Sequence, residues 1–143
     1  REDTYAAGLS MGGYGAMKLG LRAADTFCKV ASLSGAVGVG SRNEVDVPHP
    51  PLAFWKGIFG DAPAGGENDL VTAARELAES GKPRPQIYMW CGEQDFLYGQ
   101  NVHFAAHLEA LGYDCTFRRS PGDHQWKYWD EQIQVVIPWL LNT

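Results

Sequence analysis

Apolar positions along this chain fall into two arrangements, short unbroken runs and longer stretches of helical spacing. "TYAAG" (Thr4 to Gly8) is an apolar run ending in glycine and predicts a buried strand. From Gly12 to about Ala24 the spacing is helical. Lys18 and Arg22 form one narrow charged stripe, and Ala16, Met17, Leu19, Leu21 and Ala23 fill the rest. So narrow a stripe predicts a largely buried helix. "KVASLSG" (Lys29 to Gly35) predicts a second buried strand, and "QIYMWCG" (Gln86 to Gly92) is the most β-prone run in the chain. A helix follows with Phe104, Ala105, Leu108 and Leu111 on one face, closed by Gly112 at C′. "DCTFRRS" (Asp114 to Ser120) is the last strand, and Pro121 to His124 its exit loop. The final helix places Trp129, Ile133, Val136, Ile137 and Leu140 at helical spacing, with Pro138 expected to kink or restart it.

Between Gly38 and Pro85 the texture changes, with most of the prolines and the aromatic patch "LAFWKGIFG" (Leu52 to Gly60). One helix is expected there, near Asn68 to Glu79. The stretch lacks the periodicity to build a core of its own and reads as an excursion between strands. The order strand, helix, strand, excursion, strand, helix, strand, helix predicts an α/β fold, a parallel sheet with helices on both faces. Ligands on such sheets gather at the carboxyl ends of the strands, where Ser10, Asp95 and His124 all fall.

Composition narrows the possibilities. The 143 residues suffice for one domain, and 45% hydrophobic content suffices for its core. A net charge of −5 with no basic stripe argues against nucleic acid as a partner. No apolar run approaches the roughly 20 residues that span a bilayer. Cys28, Cys91 and Cys115 are widely spaced and read as reduced, buried thiols, which points to a cytoplasmic setting.

Gly8-Leu9-Ser10-Met11-Gly12 fits Gly-x-Ser-x-Gly, the turn that lifts a nucleophilic serine off the end of a strand. Its backbone is expected to be strained at Ser10 and so tight that side chains at positions 8 and 12 would collide. The turn leaves the Met11 N–H at a helix N-terminus, where it can face an oxyanion. Among 17 glycines the pattern alone is weak, and its specificity comes from the strand before it and the helix after it. A dinucleotide loop would need a third glycine at Lys18, and none is there.

A serine nucleophile needs a base, and the base needs an orienting acid. On this architecture the acid precedes the histidine in the chain. His124, in "SPGDHQW", is the one histidine in a loop between strand and helix. His49 precedes every candidate acid, and His103 and His107 read as solvent-facing residues without the glutamate of a metal motif. Asp95 directly follows a strand and is the expected acid. Glu93 is the nearest rival; Asp114 lies at the wrong strand end, and Asp123 is too close to His124. Phe54, Trp55, Phe96 and Trp126 are candidates to wall an apolar pocket, with core packing as the competing account for each.

Together "GLSMGGYGAMKLGL", "ASLSGA", "CGEQDFLY" and "PGDHQWKYWDEQIQVVIPWL" resemble the esterase D group of α/β-hydrolases, and "REDTYAAGLSMGGYGAMK" its tributyrin-esterase branch. The group includes tributyrin, acetyl and feruloyl esterases and S-formylglutathione hydrolases. The resemblance implies Ser10 as nucleophile, Asp95 as acid, His124 as base and the Met11 N–H as an oxyanion donor. It implies no metal or organic cofactor, and a small pocket suited to short acyl esters. "RAADTF" replaces a frequent Tyr-Pro pair, and Gln125 fills a variable position. The group's sheet has eight strands, of which four are visible here. The chain is therefore expected to be the C-terminal part of a longer esterase, completed by an N-terminal segment carrying the second oxyanion donor. Self-association as a homo-oligomer stays open, as do two other functions: an acyltransferase of the same fold and a non-catalytic binding module.

Overall fold

The computed structural model describes residues 1–41 and 52–142. Four strands, β1 (Tyr5–Leu9), β2 (Lys29–Leu33), β3 (Gln86–Gly92) and β4 (Cys115–Ser120), form one parallel sheet in the order β1-β2-β3-β4. Five helices connect and follow them: α1 (Met11–Arg22), α2 (Leu52–Phe59), α3 (Leu70–Ser80), α4 (Tyr98–Ala110) and α5 (Trp126–Leu141). Because alternate strand residues point to opposite faces, the sheet divides two cores. Val30, Ile87 and Met89 face Met17 and Leu21 of α1, Leu70 and Leu77 of α3, and Phe104 and Leu108 of α4. Ala31, Leu33, Tyr88 and Trp90 face Trp129, Val136 and Leu140 of α5. This is the α/β architecture read from the alternation of runs and periodic stretches.

Several local expectations are corrected. β1 is half-buried rather than buried, because it is the edge strand and among the described residues no strand covers its free side. Leu19 of α1 is 46% exposed, beside Gly12 and Gly15 in an open groove along β1. The charged stripe does not face water alone: Lys18 donates to Asn68 Oδ1, and Arg22 pairs with Glu76. "LAFWKGIF" forms α2, a helix that its aromatic clustering concealed. Asp69 starts α3 by accepting the N–H groups of Val71 and Thr72, and Gly81 ends it in the left-handed region. α5 continues through Pro138 without a restart, because a proline this near the C-terminus removes only one late intrahelical bond. Ile137 lies at the margin of the apolar stripe and is exposed. His49 lies outside the described residues.

Candidate active site

Three of the four strands, β1, β3 and β4, are each followed at the carboxyl end by one residue of the site. β1 runs into Ser10, whose φ of 55° and ψ of −122° lie in a region non-glycine residues avoid. The strain is held from several sides. The Ser10 N–H donates to Leu33 O at 3.0 Å, and the Ser10 carbonyl accepts from Gly13, Tyr14 and Ala36. A Cβ at Gly8 would lie 2.1 Å from the Gly12 carbonyl oxygen, so that glycine is required. Crowding at the turn is one-sided, contrary to the expectation of collision at both positions. A Cβ at Gly12 would meet nothing within 4 Å, because Gly12 presents its carbonyl to the strand and its Cα hydrogens elsewhere. Met11 opens α1, and a first helical residue has an N–H without an intrahelical acceptor.

Asp95 follows β3 in a turn where its own N–H donates to Gly92 O. Its buried carboxylate is shared between two donors. Oδ1 accepts the Leu97 N–H at 2.8 Å, and Oδ2 lies 2.8 Å from His124 Nδ1. On the other side of the ring, His124 Nε2 is 3.0 Å from Ser10 Oγ. With Nδ1 protonated against the carboxylate, Nε2 carries the lone pair that accepts the serine hydroxyl proton. The structure thus brings Ser10, Asp95 and His124, which are 114 residues apart from first to last, into one hydrogen-bonded line. The rival Glu93 is exposed, and Asp123 accepts from Gln125 instead.

The histidine loop is stitched to the acid loop by contacts that no short motif announces. The Gly122 N–H donates to Gln94 Oε1 at 2.7 Å, and the Gln94 N–H donates back to Gly122 O at 2.9 Å. Gly92 permits the approach, since a Cβ there would stand 2.3 Å from the Gly122 carbonyl oxygen. Gly122 itself has φ 153°, and a side chain on it would strike the Tyr128 ring. The His124 ring also contacts two aromatic rings, Phe96 at 4.9 Å and Trp129 at 4.8 Å between centroids.

The four aromatic candidates separate. Phe96 is 43% exposed against His124. Trp126 is 72% exposed, packs edge-on to Trp129, and lines a cavity of about 320 Å³ with Gly8, Leu9, Leu33 and Ile133. Trp55 is buried against Phe59 in the core on the α1 side of the sheet, and Phe54 stands exposed on α2. On α4, His103 is exposed, whereas His107 is half-buried 3.2 Å from Val71 O rather than freely solvated. Among the described residues no group of three or more His, Cys, Asp or Glu is placed to hold a metal ion. No helix among them is long and apolar enough to cross a membrane.

Burial pushes the Cys91 thiol, on β3 behind the acid, up to about 12, and the Asp95 charge adds to it. Cys115 is likewise raised to about 11 by burial, with Asp114 and Glu109 contributing. At neutral pH neither is a nucleophile.

Known proteins resemble this chain in sequence and in fold. An acetyl esterase from Caldicellulosiruptor saccharolyticus is 30% identical over the whole chain, which covers 56% of that protein. The substrate-bound structure of FphF, a fluorophosphonate-binding serine hydrolase of Staphylococcus aureus, superposes with a TM-score of 0.86 at 32% identity. That match covers 100% of this chain and 56% of FphF. The apoenzyme of an S-formylglutathione hydrolase from the same organism gives 0.77 at 32% identity, covering 99% of this chain and 52% of the hydrolase. The chain spans about half the length of the curated relatives it matches. Its sheet and helices correspond to part of the α/β-hydrolase fold of the two structures. Residues 1–140 match the protein family described as "Putative esterase", and the chain belongs to that esterase family.

Proposed function

We propose that this chain carries the nucleophile, base and acid of a serine carboxylesterase acting on short-chain acyl esters. The observation that carries the reading is the Ser10 Oγ to His124 Nε2 separation of 3.0 Å, with Asp95 Oδ2 2.8 Å from the far ring nitrogen. Ser10 Oγ attacks the ester carbonyl carbon while its proton passes to His124 Nε2. The tetrahedral oxyanion is met by the Met11 N–H, a donor worth about 3 kcal/mol of barrier in comparable sites. Collapse breaks the bond to the alcohol oxygen, which leaves with the proton from Nε2, and Ser10 keeps the acyl group. Water then attacks the acyl carbon and gives a proton to Nε2. Collapse releases the acid, and the proton returns to Oγ. Asp95 stays ionised throughout and stabilises the imidazolium. The short acyl preference is supported by the acetyl esterase relative and by Phe96 standing at the rim beside His124.

The proposal includes a further segment of polypeptide that pairs with β1 and supplies a second oxyanion donor. Its support is the half-exposed edge strand, the open groove along α1 and the coverage of about half of each relative. Residues 1–143 expressed alone, if monomeric, soluble and fully active, would overturn that part.

In the whole protein, a fluorophosphonate probe is expected to label wild type and not Ser10→Ala. Nitrophenyl esters are expected to be cleaved fastest from acetate to butyrate. Failure to label Ser10 would favour a non-catalytic binding module, and acyl transfer to an added alcohol in preference to water would favour an acyltransferase.

A further inference from the structure

The His124 ring leaves a glycine-containing loop, and its side chain is 23% exposed, so its orientation depends on its hydrogen bonds and on the rings packed against it. Of the two rings that touch it, Phe96 is 43% exposed. Trp129 is different: it is 5% exposed, and meets the imidazole at 85° with centroids 4.8 Å apart. Its indole Nε1–H donates to Ser34 Oγ at 2.9 Å. Ser34 is fully buried and is one of two described non-glycine residues with positive φ, at 48°; the other is Ser10. It sits where β2 ends, with its N–H donated to Trp90 O of β3 at 2.8 Å. A strained backbone therefore aims a hydroxyl at a helix-borne indole, and the indole aims its ring at the histidine.

We propose that Trp129, tethered through its indole N–H to Ser34, is the positioning residue that holds the His124 ring in the plane joining Asp95 to Ser10. The inference rests on the serine-esterase reading for its kinetic consequence, but the ring order it describes is independent of catalysis. Both ring nitrogens lie off the axis about which the His124 imidazole turns, so a rotation would displace both from their partners. Displacements of about 1 Å at a reacting group cost on the order of 100-fold in rate. The tether acts on orientation, so the loss falls on kcat and leaves KM.

The test uses the whole protein with Ser34→Ala, Trp129→Phe and the double variant. Each single change is expected to lower kcat on nitrophenyl acetate about 10- to 100-fold with KM within about two-fold. The double variant is expected to be no worse than the weaker single one, since both remove one tether. The proton resonance of His124 Nδ1–H, sharp in wild type, is expected to broaden in all three. Val136→Ala, in the same α5-facing core but not in contact with His124, controls for loss of stability alone and is expected to keep kcat. Should Trp129→Phe not fold, Ser34→Ala carries the test by itself. Wild-type kcat and a sharp resonance in the variants would overturn the proposal, as would an equal loss of kcat in Val136→Ala at matched melting temperature. A wild type that neither cleaves esters nor labels with fluorophosphonate overturns the esterase reading instead, and the resonance comparison then decides the tether.

Discussion

Gly92→Ala is the substitution whose outcome can be worked most fully from the structure. β3 ends at Gly92, and a methyl there would lie 2.3 Å from the oxygen, 2.6 Å from the carbonyl carbon and 3.2 Å from the Cα of Gly122. All three are backbone atoms, so no side chain can turn away, and the loop must retreat by about 1 Å to reach a tolerable carbon–oxygen separation. Gly122 makes both hydrogen bonds to Gln94, through its N–H at 2.7 Å and its carbonyl at 2.9 Å, and His124 stands two residues further on. Overpacking of this kind costs about 1–3 kcal/mol of stability. A 1 Å shift of His124 from Ser10 is expected to lower kcat/KM about 100-fold, equivalent to about 2.7 kcal/mol of transition-state stabilisation. The assay is steady-state hydrolysis of nitrophenyl acetate by the whole protein, with thermal unfolding measured alongside. Gly99→Ala is the matched control: on α4 its Cβ meets nothing within 4 Å, and alanine is the better helix former by about 1 kcal/mol. The reasoning is refuted if Gly92→Ala retains kcat/KM within about three-fold of wild type while remaining folded.

Three further outcomes follow from the geometry. Burial alone would raise the Asp69 carboxyl, but hydrogen bonds from Ser41, Gly65 and Thr72 outweigh it and hold it below its ordinary value. Its stabilisation is therefore complete above the unfolded carboxylate value, about 4, and lost as pH falls through the lower folded one. Asp69→Asn is expected to lose about 1–3 kcal/mol at pH 7 and to flatten the acid limb of stability, as read by denaturant unfolding across pH. Lys29 Nζ donates to the carbonyls of Trp139, Leu140 and Asn142, closing the C-terminus of α5. Lys29→Met keeps the aliphatic stem and is expected to lose about 1 kcal/mol, checked by the melting temperature. Finally, Cys91, raised to about 12 by burial and by Asp95, is expected to resist iodoacetamide at pH 8 in the native protein and to react on unfolding; alkylation at the native-state rate of a free thiol would contradict its burial.

The residues of the candidate site were legible because each is set by local chemistry. A serine between glycines after an apolar run specifies a sharp turn, and an aspartate at the mouth of "QIYMWCG" needs only the strand's direction to be placed. The histidine of "SPGDHQW" is separable from the other three by its place in a loop between strand and helix, with chain order excluding only His49. The strands were recovered to within about two residues, since a continuous apolar run in a parallel sheet admits few other readings. α2 was not recovered, because consecutive aromatics give no clear helical period, and only its packing shows which ring goes in: Trp55 is buried while Phe54 is exposed. Local pattern likewise overstated the burial of β1 and of Leu19, because it reports apolarity and not what lies on the other side.

What the sequence determined by itself was the order of elements and which side chains compose the candidate site. Those depend on residues within a few positions of one another. Tertiary structure decided which supports converge on them: Gln94 on Gly122, Gly92 beneath the same peptide, and Ser34 through Trp129 onto His124. Such pairs join different strands and helices, so their separation in space is fixed by sheet register and helix packing. No periodicity within either segment carries that information.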